Sequence, residues 1–256
     1  MEARKVNALN GWLWIKQGFG LFRKNPLLWM ALAAIGVIGL LGIAIIPVVG
    51  DPLATLLFPM LLAGFMFGCH ALAQGEELEL AHLFAGFPQH AQQLVTLGGV
   101  NLVGQLLILG VMMLTGGAGL VSILMSSKPP DDPAILMQAA AGAGFALLLG
   151  MTLFTILLMA MQFAPMLVIF GKMPPIPALK ASLHAFLRNV IPLSVYALAL
   201  LPFAVLATLP MMLGWLALLP VVIASMYAMY CDLFPMQPEA PAADRGDVAA
   251  HDGQAH

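Results

Sequence analysis

Six long apolar segments limit the folds open to this chain more than any other feature. They cover residues 27–49, 53–73, 94–125, 134–170, 190–209 and 211–230. A helix of about 20 apolar residues is long enough to cross the ~30 Å hydrocarbon core of a bilayer. Only 9% of the residues are charged, whereas about a quarter are charged in a typical soluble domain. The sequence therefore predicts an all-α polytopic integral membrane protein with six transmembrane helices.

Two parts of the chain depart from a plain row of spans. The third and fourth segments are longer than a bilayer requires, so each is expected to tilt, protrude or break, and the glycine-rich run 115–119 is the expected weak point of the third. Residues 235–256 are rich in Pro, Ala, Asp and Gly and lack apolar periodicity, which is typical of disorder. We expect one transmembrane domain over 1–234 and a disordered cytoplasmic tail over 235–256.

Lysine and arginine are distributed unevenly between the two ends of the spans. Six spans bring both termini to one face, and nine of the ten cations fall on it: Arg4, Lys5, Lys16, Arg23, Lys24, Lys172, Lys180, Arg188 and Arg245. The opposite face has Lys128 alone. An excess of Lys and Arg marks the cytoplasmic side of a membrane. The distribution predicts a multi-pass membrane protein with both termini cytoplasmic.

An aromatic and cationic stretch, residues 11–29, precedes the first span. Its side chains Trp12, Ile15, Phe19 and Phe22 recur every three or four positions, which is the spacing of one helix face. The same spacing recurs before the third and fifth spans, in the sets Leu80, Leu83, Phe84, Phe87 and Leu179, Leu183, Phe186, Val190. Pro88 is expected to end the second of these helices. The spans should thus form three hairpins, each preceded by a cytoplasmic amphipathic surface helix.

The first and third of these surface helices match at a fixed offset. Four positions of the first correspond to four positions of the third, namely Lys16, Phe22, Lys24 and Asn25 with Lys180, Phe186, Arg188 and Asn189. A match of this size fits an internal duplication and a chance similarity about equally well. The origin of the repeat stays open.

The opening stretch, MEARKVNALNGWLWIKQGFGLFRKNPLLW, resembles the N-terminus of uncharacterised six-span inner-membrane proteins of Gram-negative (beta-proteobacterial) bacteria. The stretch FAPMLVIFGKMPPIPALKASLHAFLRNVIPL is similar to a surface-helix and hairpin pattern in the membrane domain of glycerophosphodiesterase-type proteins. The resemblance implies a location and an architecture. It implies no activity, because the Glu, Asp and His ligand cluster of a phosphodiesterase is missing from the sequence.

The cationic face is the candidate functional surface. Anionic lipid headgroups are expected to contact Lys16, Arg23, Lys24, Lys180 and Arg188. Aromatic side chains at the membrane interface are expected at Trp12, Trp14, Phe19, Phe22 and Trp29. The alternative is that the cations only set the orientation of the chain, which requires no ligand.

Three polar residues lie inside predicted spans, Asn101 and Gln105 in the third and Gln162 in the fourth. Asn101 and Gln162 are each ~12 Å from the same face at 1.5 Å per residue, so the third and fourth spans should place them near one another. Hydrogen bonds between helices explain such residues, and the alternative is the polar lining of a cavity. The His and Cys residues have no metal-ligand spacing. No catalytic residue, metal or cofactor is predicted.

Two functions remain open for a chain of this kind. The first, which we favour, is a non-enzymatic membrane scaffold or accessory protein whose partners are the lipid bilayer, anionic phospholipids in it and other membrane proteins. The second is an uncoupled transporter or lipid-handling protein with a cavity between the third and fourth spans. A nucleic-acid partner is not expected, because ten cations are offset by twelve carboxylates.

Overall fold

The computed structural model describes residues 3–125, 132–135, 137, 143–209 and 211–235. Regular structure within those ranges is entirely helical, which confirms the all-α prediction. Lys128 and the predicted tail from residue 236 onward lie outside the described residues. The predictions about the outer cation and about tail disorder therefore stay predictions.

Six helices in the described ranges are long and apolar enough to cross a membrane, as predicted. The first hairpin consists of α2 and α3, and the third consists of α9 and α10. In the second hairpin, one span is α4 with its extension α5, and the other is α6 with its extension α7. The bounds are α2 Pro26–Ala44, α3 Gly50–Gln74, α4 Gly86–Met112, α5 Ala118–Met125, α6 Gly144–Met161, α7 Ala164–Ile169, α9 Val190–Thr208 and α10 Trp215–Leu233.

Three details of the spans follow from local backbone chemistry. The third span breaks where predicted, in a π-helical turn at Met113–Gly117 in which Gly116 has φ +104°, a value that glycine adopts without steric cost. The second span begins at Gly50, earlier than expected, because Pro52 is tolerated in the first turn of a helix. The sixth begins only at Trp215, because Met211 and Met212 adopt φ values of +50° and +65° that interrupt a helix.

Two amphipathic helices, α1 (Asn10–Lys24) and α8 (Pro175–Arg188), precede the first and third hairpins. Each is joined to the following span through a single asparagine. The backbone N–H of Asn25 donates to the Phe22 carbonyl at 3.3 Å, and that of Asn189 donates to the Phe186 carbonyl at 3.0 Å. The two matched sequences thus form the same helix–asparagine–helix junction.

The prediction of an amphipathic surface helix before the third span is wrong. Residues Leu80–Phe84 form only a 3₁₀ turn, and Pro88 belongs to the first turn of α4 instead of ending a helix. A proline in the first turn of a helix loses no intrahelical hydrogen bond, so it starts α4 without strain. The turn packs directly on α3, where a Cβ added to Gly64 would lie 2.7 Å from the Leu83 carbonyl carbon.

The tightly packed core lies at the end of the bundle where α1 and α8 are found, which we call the surface-helix end. In α2, buried residues occur only up to Gly36, and in α3 they are concentrated between Pro59 and Leu72. In α10 they run from Pro220 to Leu233. The spans therefore pack closely at the surface-helix end and leave apolar surface open toward the opposite end, which we call the far end.

The third and fourth spans are antiparallel neighbours, as predicted. A Cβ at Gly104 of α4 would lie 3.1 Å from Leu157 of α6, and one at Gly150 of α6 would lie 2.7 Å from Met112 of α4. By extension of this register, Asn101 is about level with residues 160–161 and therefore close in depth to Gln162.

Candidate functional site

The N-terminal segment is fastened to the last turn of α10 through Asp232. One carboxylate oxygen, Oδ2, accepts hydrogen bonds from Asn10 Nδ2 at 2.7 Å and from the indole Nε1 of Trp14 at 2.9 Å. The other, Oδ1, forms an ion pair with Arg4. The backbone N–H of Arg4 also donates to the Leu233 carbonyl at 3.0 Å. Both ends of the described chain therefore meet at the surface-helix end.

Asn189 forms a second link to the N-terminal segment. Its side chain is 1% exposed. The side-chain oxygen accepts from the Val6 backbone N–H at 3.0 Å, and Nδ2 donates to the carbonyls of Arg4 at 3.1 Å and Ala185 at 3.0 Å. One residue thus connects the N-terminal segment, α8 and the start of α9.

The buried face of α1 differs from the predicted one. Gly11, Trp14, Ile15, Gly18 and Phe22 are buried against the bundle. A Cβ at Gly11 would lie 2.8 Å from the Tyr196 nitrogen, and one at Gly18 would lie 2.6 Å from the Ser225 nitrogen. The helix therefore approaches α9 and α10 at backbone distance, and protein packing holds it in place.

Two predicted interfacial aromatics point into the protein instead of the membrane. Trp14 is 1% exposed and Trp29 is 0% exposed. Trp14 faces inward because its indole N–H is bound by Asp232, and Trp29 stacks on Phe65 with ring centroids 6.4 Å apart. Phe22 is also buried. Trp12 and Phe19 remain exposed, at 42% and 48%.

The five cations predicted to contact lipid are all exposed at the surface-helix end. Lys24 has a second role, since its Nζ donates to the Leu72 carbonyl at 2.5 Å in the last turn of α3. A cation is favourable at that position because the last carbonyls of a helix carry partial negative charge. The guanidinium of Arg23 lies 5.9 Å from the centre of the Phe19 ring, within the range of a cation–π contact.

Two cations line a cleft beside the N-terminal segment. Lys5 and Arg188 both line this cavity of about 640 Å³, together with residues 6–8 and the apolar start of α9. Lys16 lines a different cavity, between α1 and the last hairpin. A third cleft, of about 720 Å³, is lined by Arg4 and Lys24, so several clefts of the cationic face have a cation in their walls.

The polar residues inside the spans do not form one site. Gln162 lines an apolar cavity of about 390 Å³ together with residues of α2, α3, α6 and α10. Asn101 and Gln105 lie on α4 and are half-buried, and neither lines this cavity. Between the third and fourth spans, α4 and α6 are in contact at Gly104 and Leu157, and the cavity that Gln162 lines is bounded by α2, α3 and α10 as well as α6. The predicted cavity between the third and fourth spans stays a prediction.

Several central residues were not singled out by sequence reasoning. Asp232 is not among the residues predicted from the sequence, and Asn189 appears there only as part of the repeat. His70 Nδ1 lies 2.9 Å from the Tyr227 hydroxyl, and both rings pack on Phe170. A usable signal for Asp232 existed, because a carboxylate in the last turn of an apolar helix needs a cation or donor on the same face.

In the described parts of the chain, no group of three His, Cys, Asp or Glu side chains is arranged to hold a metal ion. The chain matches no established family profile. No solved structure matches it either. It is 30% identical over 233 residues to a probable inner membrane protein of Burkholderia thailandensis, an alignment that covers 90% of this chain and 84% of that protein.

Proposed function

The chain belongs to the family of that probable inner membrane protein, and on this basis we propose that it is a non-enzymatic scaffold or accessory protein of the bacterial inner membrane that binds anionic lipid. The observation that carries the proposal is the group of exposed cations at the surface-helix end, beside the exposed rings of Trp12 and Phe19. Basic residues near an anionic leaflet each contribute about 1 kcal/mol of attraction. The aromatic rings are suited to the headgroup level of a bilayer.

The same charge distribution supports a cytoplasmic position for both termini. The first and last described residues meet through the Arg4 and Leu233 backbones, so they share one side of the membrane. The described cations cluster on that side, and cation excess is the feature of cytoplasmic loops. The cytoplasmic leaflet is also the one rich in anionic lipid, so the orientation and the proposed lipid contact are consistent with each other.

Lipid selectivity at the protein boundary tests the proposal. The protein is reconstituted with spin-labelled phosphatidylglycerol or phosphatidylcholine, and the immobilised fraction of each lipid is measured. We expect the wild type to enrich phosphatidylglycerol. A variant with Lys16, Arg23, Lys180 and Arg188 all changed to Gln should lose that enrichment. Lys24 is left intact because it caps α3.

Salt provides the control for this measurement. At 1 M ionic strength the screening length falls to about 3 Å, so the wild-type preference should decline to that of the four-Gln variant, whose own preference should not change. Equal immobilisation of the two lipids by the wild type at low salt would contradict the proposal. The cations would then serve orientation alone.

A second function, lipid handling without ion coupling, is favoured by the cavity that Gln162 lines. A volume of about 390 Å³ lies within the usual 300–1,000 Å³ range of ligand sites, and its wall is apolar. The test is exposure of fluorescent lipid to a membrane-impermeant reductant in proteoliposomes. If the protein moves lipid between leaflets, the reductant should bleach more fluorescence than the outer leaflet contains. Val222→Trp in the cavity wall should reduce this extra bleaching. Leu198→Trp, at a position of α9 that is 66% exposed, should not change it. Bleaching that stops at the outer leaflet would exclude this function.

A further inference from the structure

An apolar groove lies between one side of α1 and the last hairpin. It has a volume of about 500 Å³, and its walls include Trp12 and Phe19 of α1, Phe203 and Leu206 of α9, and Ala217 of α10. The two helices of the hairpin contribute small side chains to its floor, where Ala207 and Val221 are buried. The groove is therefore open at the side and closed behind.

The groove reaches far into the membrane from the surface-helix end. Its lining residues on α9 run from Leu200 to Ala207, which corresponds to about 10 Å at 1.5 Å per residue. One leaflet of a ~30 Å hydrocarbon core is about 15 Å thick. The groove is thus long enough to hold a large part of one acyl chain.

Positive charge is concentrated at the entrance of the groove. Lys16 is its one charged lining residue. The guanidinium of Arg23 lies 5.9 Å from the centre of the Phe19 ring, and that ring forms part of the groove wall. Lys16, Phe19 and Arg23 follow one another at three- and four-residue spacing, so they share one side of α1. An apolar channel with two cations at its mouth has the charge and shape of a phospholipid with an anionic headgroup.

We propose that this groove binds one anionic phospholipid, with its phosphate and headgroup at Lys16 and Arg23 and one acyl chain between Phe19, Phe203 and Ala217. The inference rests on the proposed function, since it assigns a discrete site to the anionic lipid contact. It differs from contact by the bilayer in general because one molecule is held between α1 and the hairpin. The lipid then completes the packing of α1, whose other side is buried directly against protein.

Native mass spectrometry of the full chain in mild detergent tests the site. After removal of bound lipid, phosphatidylglycerol or phosphatidylethanolamine is added, and the retained molecules per chain are counted. We expect one phosphatidylglycerol bound in preference to phosphatidylethanolamine. Lys16→Gln should weaken phosphatidylglycerol binding about fivefold, the value of one basic residue near anionic lipid, and leave phosphatidylethanolamine binding unchanged.

Two pairs of variants separate the groove from the rest of the surface. Ala217→Phe fills the groove and should abolish retention of the lipid, whereas Ala197→Phe, at an exposed position of α9 outside it, should not. Lys180→Gln removes an exposed cation of α8 and should bind as the wild type does. An unchanged thermal unfolding temperature for Ala217→Phe establishes that the filled protein is folded. If Ala217→Phe is destabilised, Phe203→Ala is used in its place. This variant removes part of the groove wall, so it should weaken the retention of phosphatidylglycerol.

Retention of phosphatidylglycerol by Ala217→Phe at the wild-type level would overturn the inference. A dimer in the mass spectrum that Ala217→Phe dissociates would also overturn it, because a second copy of the chain would then occupy the groove. Failure of the proposed function gives a different result. In that case the wild type shows no phosphatidylglycerol enrichment in the spin-label measurement. Enrichment there, together with an Ala217→Phe variant that still retains lipid, overturns only the groove site.

Discussion

Replacing Asp232 by Leu should release the N-terminal segment from the bundle. The carboxylate binds three groups, and the change removes all of them at once. The indole N–H of Trp14 would be left without a partner inside the protein, at a cost of about 2 kcal/mol for a buried donor. Asn10 is only half-buried, so the loss of its hydrogen bond to Asp232 contributes about 1 kcal/mol. The exposed Arg4 adds about 0.5 kcal/mol.

The sum, about 3.5 kcal/mol, corresponds to a fall of roughly 7–14 °C in unfolding temperature for a chain of this size. The sequence provides a reporter for the measurement, because Cys69 is 0% exposed. A thiol-reactive fluorophore would label it only on unfolding, in a Cys231→Ser background that removes the partly exposed second thiol. Asp51→Asn is the matched control, because the Asp51 carboxylate is exposed and forms no hydrogen bond with the described part of the chain. It should shift the temperature by less than about 2 °C.

A double-mutant cycle assigns the effect to the indole contact. Trp14→Phe, Asp232→Leu and the double variant should give a coupling energy of about 1–2 kcal/mol between the two positions. Hydrogen exchange of the Arg4 and Val6 amides should accelerate in Asp232→Leu, since both amides are bonded in the same region. An Asp232→Leu protein that melts with the wild type and exchanges these amides at the wild-type rate would refute the role given to Asp232.

Three further outcomes are expected. Single cysteines at the exposed positions Val49 and Glu77 should differ in intact cells, the first reacting with an impermeant thiol reagent and the second protected; the reverse pattern would invert the proposed orientation. Gly18→Ala should lower the unfolding temperature by several degrees, because its methyl group would lie 2.6 Å from the Ser225 nitrogen, whereas Gly20→Ala, with nothing within 4 Å, should leave the temperature unchanged or raise it. Asn189→Leu should destabilise the protein by about 2–4 kcal/mol, since it leaves a buried N–H and two carbonyls unpaired; a melting temperature within about 1 °C of the wild type would contradict the importance of that junction.

The six spans and two of the three surface helices could be predicted from the sequence, because they depend on local properties. A run of apolar residues requires a helix in a bilayer irrespective of its neighbours. The glycine-rich break near Gly116 is likewise a property of the backbone itself. The turn at Leu80–Phe84 failed as a prediction because Pro88 is compatible with both the end and the start of a helix. Packing on α3 decides between them.

The contacts of individual side chains depend on which elements become neighbours, and the sequence leaves this open. Trp14 and Trp29 have the same local pattern as tryptophans that face lipid, and their burial follows from the approach of α10 and α3. Glycines seven residues apart in α1, Gly11 and Gly18, were the available signal for that approach. The cavity beside Gln162 was not predicted for the same reason, since its walls come from four separate spans.

The link between Arg4 and the last turn of α10 has a consequence for how the protein is made. The partners are separated by 228 positions in the chain, so at about 5–20 residues per second ribosomes need roughly 10–50 s to supply Asp232 after Arg4. During that interval Trp14 has no acceptor and α1 has no α9 or α10 to cover its glycines. Quality-control proteases could recognise this unfinished state, and a chain truncated before Asp232 would remain in it permanently.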